Sequence, residues 1–418
     1  MKILVIGSGG REHAVVKAIV KSPLCEKVYA LPGNPGMKEC TRIPGNPLDI
    51  DRTVQTAKEY QIDFCVVTPE DPLAAGLVDA LNHAGIPCFG PSQKATRIES
   101  SKVFSKNLMK KYGIPTADFK VFDELAPALA YAKAQPYPLV IKADGLARGK
   151  GVVIAQDYAE AEHALFGMLS GQDFGESGKQ VIIEETLVGP EVSLLCLADG
   201  QTILPLVSAM DHKRAKDGDV GLNTGGMGAI APSPLYTQEL AALTQQRILE
   251  PTMAAMQAEG CPFAGCLFVG LMLTEDGPRV LEYNARMGDP ETQAVLPLMT
   301  SDLLDHLIAC SKGTLHLTQP LFLDEAACCL VLTSKGYPER FQTGYPISAQ
   351  KTDAQVCFAG VKEVDGHLVT AGGRVMSVTA VKPRLQDAIK AAYAAAERID
   401  FKDKSYRTDI GQKALRGI

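Results

Sequence analysis

Glu282, Asn284 and Arg286 fall at every second position of EYNARMGDPE, directly after an apolar run. In an extended strand alternate side chains face the same way. These three therefore share one face, and Tyr283, Ala285 and Met287 the other. Two oxygen donors on one rigid face suit Mg²⁺, which takes one or two protein ligands and leaves the rest of its shell to phosphate oxygens and water. Arg286 beside them suits a carboxylate or a phosphate. Gly288 and Pro290 turn the chain and set Asp289 and Glu291 at the start of a following helix, where acids complement the dipole. For those two acids, helix capping is part of the reading. For the strand triplet the bland alternative is a solvated face, and the apolar runs on either side count against it.

Three other stretches carry chemistry. GSGGREH (7–13) sits where a first strand meets a first helix, and N–H groups exposed there favour a phosphate or carboxylate. The dinucleotide pattern GxGxxG fails, because Glu12 stands where its third glycine belongs, so no nicotinamide cofactor is expected. A tight glycine turn without a ligand is the alternative. KADGLARGKG (142–151) joins two apolar runs and is not a Walker A loop, which needs GxxxxGK[ST] ahead of a helix. A strand–loop–strand of this kind can fold over a triphosphate, with Lys142 and Lys150 supplying charge, or be a solvated hairpin turn. In EETLVGPE (184–191) a strand edge can offer backbone groups to an adenine and Glu191 can accept from ribose hydroxyls. Taken alone, that stretch reads as an ordinary acidic loop.

These groups need elements to hold them. The chain has 418 residues, about three domains at roughly 150 residues each. Residues 1–101 alternate strand and helix, which predicts an α/β domain with a parallel sheet and functional loops at the strand C-termini. Residues 102–324 form the middle domain, with a small α+β module over about 115–190 and long apolar strands after it. DPLAAGLVDALNHAG reads as one helix, and ILPLVSAM, VCFAGVKEV and HLVTAGGRVMSVTAV each as one strand. DHKRAKDGDVGLNTGGMGA reads as a long polar, glycine-rich loop, a length usually tied to function. Residues 325–418 read as a separate α+β domain.

Composition narrows the class. Hydrophobic residues are 46% and charged residues 22%, an ordinary globular balance. The net charge of −6 argues against nucleic-acid binding over the whole surface but leaves room for a local basic pocket. The 11 cysteines are odd in number, lack CxxC pairs and lie largely in apolar runs. They read as reduced thiols of a cytoplasmic protein. MKILVIGSGG reads as a strand and not a signal peptide. No run of about 18 apolar residues occurs, so no membrane span is expected.

Taken together, Lys102, Lys142, the glycine loop, EExxxGxE and the strand ExN resemble the ATP-grasp fold in order and spacing. More narrowly, GSGGREHA, PGNPG, IKADGLARGKG, DHKR, NTGGMGA, RMGDPETQ and AGGRV resemble the phosphoribosylamine–glycine ligase family of purine biosynthesis over essentially the whole chain. The resemblance implies an N-terminal Rossmann-like PreATP-grasp sheet, an ATP-grasp core with a small lid subdomain, and a C-terminal α+β domain. It implies ATP and Mg²⁺ (or Mn²⁺) as cofactors, and glycine and 5-phosphoribosylamine as substrates. Lys102, Lys142, Gly149, Lys150 and Gly151 would hold the ATP phosphates, Glu184, Glu185 and Leu187 the adenine, and Glu191 the ribose. Glu282 and Asn284 would bind the metal. Gly9, Gly10, Arg11, Glu12, Asp211, His212, Lys213, Asn223, Thr224, Gly225, Gly226, Arg286 and Asp289 would line the substrate site. Arg286, Lys142, Asp211 and Lys213 would be catalytic. Neither nucleic acid nor membrane is an expected partner, and the chain would be a monomer or weak homodimer.

Three positions depart from the family pattern. Met287 replaces a phenylalanine on the strand face turned from the metal, so only packing should adjust. Arg148 stands in the glycine loop where small residues are common. In many ATP-grasp ligases the preceding strand supplies a further metal carboxylate, but LFVGLML has Gly270 there. The rivals are another ATP-grasp ligase or carboxylase acting on a ribonucleotide, and a non-catalytic nucleotide-binding module.

Overall fold

The computed structural model describes residues 1–145, 151–170 and 179–417. Its first sheet has five parallel strands in the order Thr41–Arg42, Lys27–Pro32, Lys2–Gly7, Phe64–Val67 and Cys88–Phe89. Strands in such a sheet are covered on both faces and read as unbroken apolar runs. Accordingly Ile3, Leu4, Val5 and Ile6 are all fully buried. Strand order reverses at Lys2–Gly7, which opens a crevice between the loops that leave Lys2–Gly7 and Phe64–Val67, the usual ligand position in such sheets. Helix Gly10–Ile19 starts in that crevice. DPLAAGLVDALNHAG forms two helices, Glu70–Ala74 and Leu77–His83, because Gly76 between them takes φ +87°.

Two antiparallel sheets follow. The smaller orders Phe119–Phe122, Val181–Glu185, Leu139–Ala143 and Val152–Ala155, with helices Leu125–Lys133 and Tyr158–Leu169 packed on its core. The larger orders Ile203–Pro205, Glu191–Asp199, Ala264–Thr274 and Gly277–Asn284. One of its faces packs on helices Lys102–Tyr112 and Glu250–Ala258. The other meets the core shared with the first sheet and helix Leu303–Lys312.

The last sheet corrects the reading of residues 211–228. That stretch is not a loop. It begins in strand Met210–Asp211 and ends in Gly228–Ala231, and both join Ala326–Ser334, Arg374–Lys382 and Gln355–Phe358 in one sheet. Between them Arg214–Lys216 and Val220–Asn223 pair as a hairpin. Glycine is required at 228, where φ is +157° and an added Cβ would lie 2.6 Å from the Cys329 carbonyl oxygen. ILPLVSAM also divides, giving Ile203–Pro205 to the middle sheet and Met210 to the last. VCFAGVKEV and HLVTAGGRVMSVTAV each break into two strands around Ala359–Gly360 and Ala371–Gly373.

The first and last sheets are docked directly. Asn34 donates to the carbonyls of Ser8 (2.8 Å) and Phe358 (2.9 Å), and the Phe358 N–H donates to His13 Nδ1 (2.9 Å). Gly36 lies so close to the Phe358 ring that an added Cβ would sit 2.2 Å from Cγ. All the cysteines are free thiols. Among the described residues no helix is long and apolar enough to cross a membrane.

Candidate active site

Strand Gly277–Asn284 holds the metal-type face, and its alternation is as expected. Tyr283, Ala285 and Met287 are buried, while Glu282, Asn284 and Arg286 reach the open side. Met287 packs in the core, so its side chain adjusts packing only. Its carbonyl does more, accepting from Arg11 Nη1 (3.1 Å) and Arg286 Nη1 (3.2 Å). Asn284 donates its Nδ2 to the Tyr283 carbonyl at 3.0 Å, which leaves Oδ1 as the outward donor atom. Gly270 lies directly across from Glu282, and a Cβ there would stand 3.4 Å from Glu282 Cγ.

Three lysines converge on this face from three elements. Lys213 lies 3.6 Å from Glu282 Oε1 and 3.2 Å from Glu191 Oε2. Lys142 donates to the Leu281 carbonyl at 3.1 Å, and Lys102 to the Gly145 carbonyl at 2.6 Å. Burial opposes ionisation of Glu282, but Lys213, Lys142, Lys102 and Arg286 outweigh it and hold the carboxyl below its usual range. The Glu191 carboxylate, against burial and with Glu282 and Asp211, holds the Lys213 ammonium above its usual range. Glu282 is thus an anion ready for a cation. Among the described residues no group of three or more His, Cys, Asp or Glu is placed to hold a metal. One carboxylate and one amide oxygen still fit Mg²⁺, which draws its remaining ligands from phosphates and water.

The stretch expected to hold the nucleotide differs in detail from expectation. Val181–Glu185 is an inner strand paired on both sides and not a free edge. The Glu184 side chain is buried between Lys106 and Lys142, 3.0 Å from each. Glu185 accepts from the Asp118 N–H (3.0 Å) and Arg279 (3.1 Å). Leu187 lies past Glu185, the last paired residue of that strand. Gly151 gives its carbonyl to the Ala143 N–H. Gly149, Lys150 and Arg148 lie outside the described residues.

The residues expected to line the substrate site gather where three sheets meet. Glu12 closes the first helix turn by accepting from the Gly9 N–H (2.6 Å), from Arg11 Nε (2.6 Å) and from Thr68 (2.7 Å). Glu12 therefore braces the crevice by holding the Gly9 N–H and the buried Arg11 in place. Arg286 Nε lies 3.3 Å from both Glu70 and Glu99. Asp289 accepts from Gln293 (2.7 Å) and pairs with Arg374 (3.1 Å). Burial opposes its ionisation, but Arg374 and Arg11 outweigh it and lower its pKa. Arg374 also donates to the carbonyls of Gly225 (2.6 Å) and Asp289 (2.8 Å). Gly226, at φ +108°, lets the chain pass where a Cβ would lie 2.3 Å from Pro290 Cδ and 2.8 Å from Asp211 Oδ1. Thr224 ties this turn to the Lys213 carbonyl at 2.9 Å. Asn223 closes the adjoining hairpin opposite Arg214. Burial, reinforced by Glu291, pushes the Asp211 carboxyl well above its usual range.

His212 is not turned to this basin. Its Nδ1 meets the Gly228 carbonyl at 3.1 Å, and its Nε2 accepts from the Gly411 N–H at 3.1 Å. Both ring nitrogens are spent on backbone, so its expected place among substrate-lining side chains gives way to a scaffold role. Glu70, Glu99, Lys106 and Arg374 join the site without having been singled out. Glu70 follows strand Phe64–Val67 at the crevice, where the switch-point rule points. Arg374 lies in AGGRV. For Glu99 and Lys106, on helix faces, no local signal exists.

Family models cover nearly all of the chain. Residues 1–99 match the phosphoribosylglycinamide synthetase N domain, 100–292 its ATP-grasp (A) domain and 327–413 its C domain. The chain belongs to the phosphoribosylamine–glycine ligase family. Its activity is that of this ATP-dependent ligase of purine biosynthesis. It is 46% identical to the phosphoribosylamine–glycine ligase of Rhizobium meliloti (strain 1021), over 99% of both chains. The crystal structure of the phosphoribosylamine–glycine ligase of Thermotoga maritima superposes with a TM-score of 0.87 at 33% identity, covering 98% of this chain and 100% of that one. N5-carboxyaminoimidazole ribonucleotide synthetase from Thermotoga maritima shares the fold at 18% identity and a TM-score of 0.63, over 96% and 99% of the chains. That likeness concerns fold alone. The ligase family is therefore separated from this ATP-grasp neighbour by sequence similarity over nearly the whole chain.

Proposed function

We propose that ATP phosphorylates glycine in the basin between strand Gly277–Asn284 and the Gly9–Arg11 turn, and that 5-phosphoribosylamine completes the amide there. The observation that carries this reading is the convergence of Lys102, Lys142 and Lys213 on the ionised Glu282. A carboxylate resists attack by an amine until one of its oxygens becomes a leaving group. The glycine oxygen attacks the γ-phosphorus and ADP leaves. The resulting glycyl phosphate is attacked at carbon by the amine, phosphate leaves, and the amine loses a proton. Lys142, Lys213 and Arg286 offset charge on the transferring phosphoryl group. Glu282 and Asn284 would hold Mg²⁺, which adds positive charge at the same place. Asp211, against the Gly226 turn beside Lys213, would be the group that takes the amine proton. Arg11 and Arg374 supply the fixed positive charge for the ribose phosphate. This chemistry belongs in the cytoplasm, where ATP and purine precursors meet.

The test is ADP release with each substrate omitted in turn. Turnover should need both glycine and 5-phosphoribosylamine and should yield glycinamide ribonucleotide. Turnover that ignores glycine would overturn the reading.

A further inference from the structure

The hairpin between His212 and Thr224 carries Lys213 at its base, yet among the described residues its strands pair only with each other. A two-stranded hairpin by itself is marginal in water. What fastens this one is a short segment far along the chain, residues 407–413. Arg407 is 2% exposed although it is an arginine. Its Nη1 donates to the Arg214 carbonyl (3.1 Å), one residue from Lys213, and pairs with Asp219 (2.6 Å). Its Nε and Nη2 grip Asp409 as a fork, at 2.7 and 2.8 Å. Asp409 in turn accepts from the Gly218 N–H at the hairpin tip (2.8 Å), and Asp217 accepts from the Thr408 N–H (2.8 Å). At the base, Gly411 donates to His212. Both ends of the hairpin are thus held by one buried guanidinium and its neighbours.

We propose that Arg407 is a positioning residue for the ligase reaction, acting through the hairpin to hold Lys213 beside Glu282 and Glu191. A planar fork with five donors suits this role and an ammonium does not. The proposal rests on the placement of Lys213 at the phosphoryl site given above.

Two disruptions test it in the full-length protein, Arg407→Lys and the double change Asp217→Ala with Asp219→Gly. The second leaves the core intact, and glycine is at ease at the φ of +56° found at 219. Each should lower kcat about tenfold or more, with ATP, Mg²⁺, glycine and 5-phosphoribosylamine saturating. The same changes are then made in a Lys213→Ala background, where the further loss should vanish, since groups acting as one unit are not additive. An equal fold-loss in both backgrounds would mean that Arg407 only stabilises the fold, and the proposal fails. If Lys213→Ala itself keeps full kcat, it is the phosphoryl-site reading that fails. Where Lys213→Ala turns over too slowly to time, deuterium uptake decides. Faster exchange over 212–224, with the rest of the chain unchanged, upholds the latch, and unaltered exchange overturns it.

Discussion

At the scale of single residues, charge placement separates chemistry from support. Glu282 is anionic, half-open and faced by lysines, so its loss removes the proposed metal ligand and leaves packing untouched. Glu282→Ala should cut Mg²⁺-dependent turnover by at least about a hundredfold while circular dichroism and melting stay close to those of the parent. Near-normal turnover would place the metal elsewhere. Glu184 is the opposite case. It sits between two lysines, all three side chains under one-tenth exposed. Removing one partner of a buried ion pair strands the other charge, at a cost of about 3–5 kcal/mol. Glu184→Ala should therefore lower the denaturant midpoint strongly, and an unchanged midpoint would show that the lysines find other partners.

At the scale of elements, the hairpin and its latch give a pH signature. His212 is held at about 4, first by burial and then by Arg407, with the Gly228 carbonyl, Asp219 and Asp409 pulling the other way. Its unfolded value is about 6.5. Between these limits the unfolded chain binds a proton that the folded one refuses. Stability therefore falls as pH drops from 6.5 towards 4, by about 3 kcal/mol for this group. His212→Gln should lose less on acidification, with a saving of about 2–3 kcal/mol between pH 7 and 4.5, read from urea midpoints at both pH values. Parallel acid losses in the two proteins would assign the slope to other groups. The same region shows where reading from sequence stops. Strand alternation was enough to put Glu282, Asn284 and Arg286 on one face, and the long apolar strands were plain. Residues 211–228 looked like a loop because glycines and charges hide the alternation of their short strands, and because Gly228–Ala231, which ties them to the sheet, pairs with Ala326–Ser334 far along the chain. A pairing that distant leaves no local period. Nor did any motif mark Glu99 or Lys106, which join the site only because helices Gln93–Ser100 and Lys102–Tyr112 pack beside it.

At the scale of the whole molecule, the substrate basin depends on sheets that are remote in sequence. Gly9 to Arg11 come from the first, Glu282 from the middle one, and Gly225 and Arg374 from around the last. The contact of Gly36 with Phe358 holds the outer two together. Gly36→Val would force methyl groups into the ring. The expected result is a raised KM for 5-phosphoribosylamine with the KM for ATP nearly unchanged, together with a calorimetric transition that broadens or splits. Equal shifts in both KM values would show that the contact does not act on one side of the basin.

The sharing of the last sheet also sets a timetable. Strand Gly228–Ala231 leaves the ribosome well before its neighbour Ala326–Ser334, and residues 407–411 emerge later still. At about 5–20 residues per second, synthesis from 231 to 411 takes roughly ten to forty seconds. Through that interval the hairpin bearing Lys213 lacks its latch, and at first the adjoining strand Gly228–Ala231 lacks its neighbour Ala326–Ser334 as well. The nascent chain can finish its first sheet early, but its basin closes only once residues 407–411 have emerged, and shorter nascent chains cannot commit ATP.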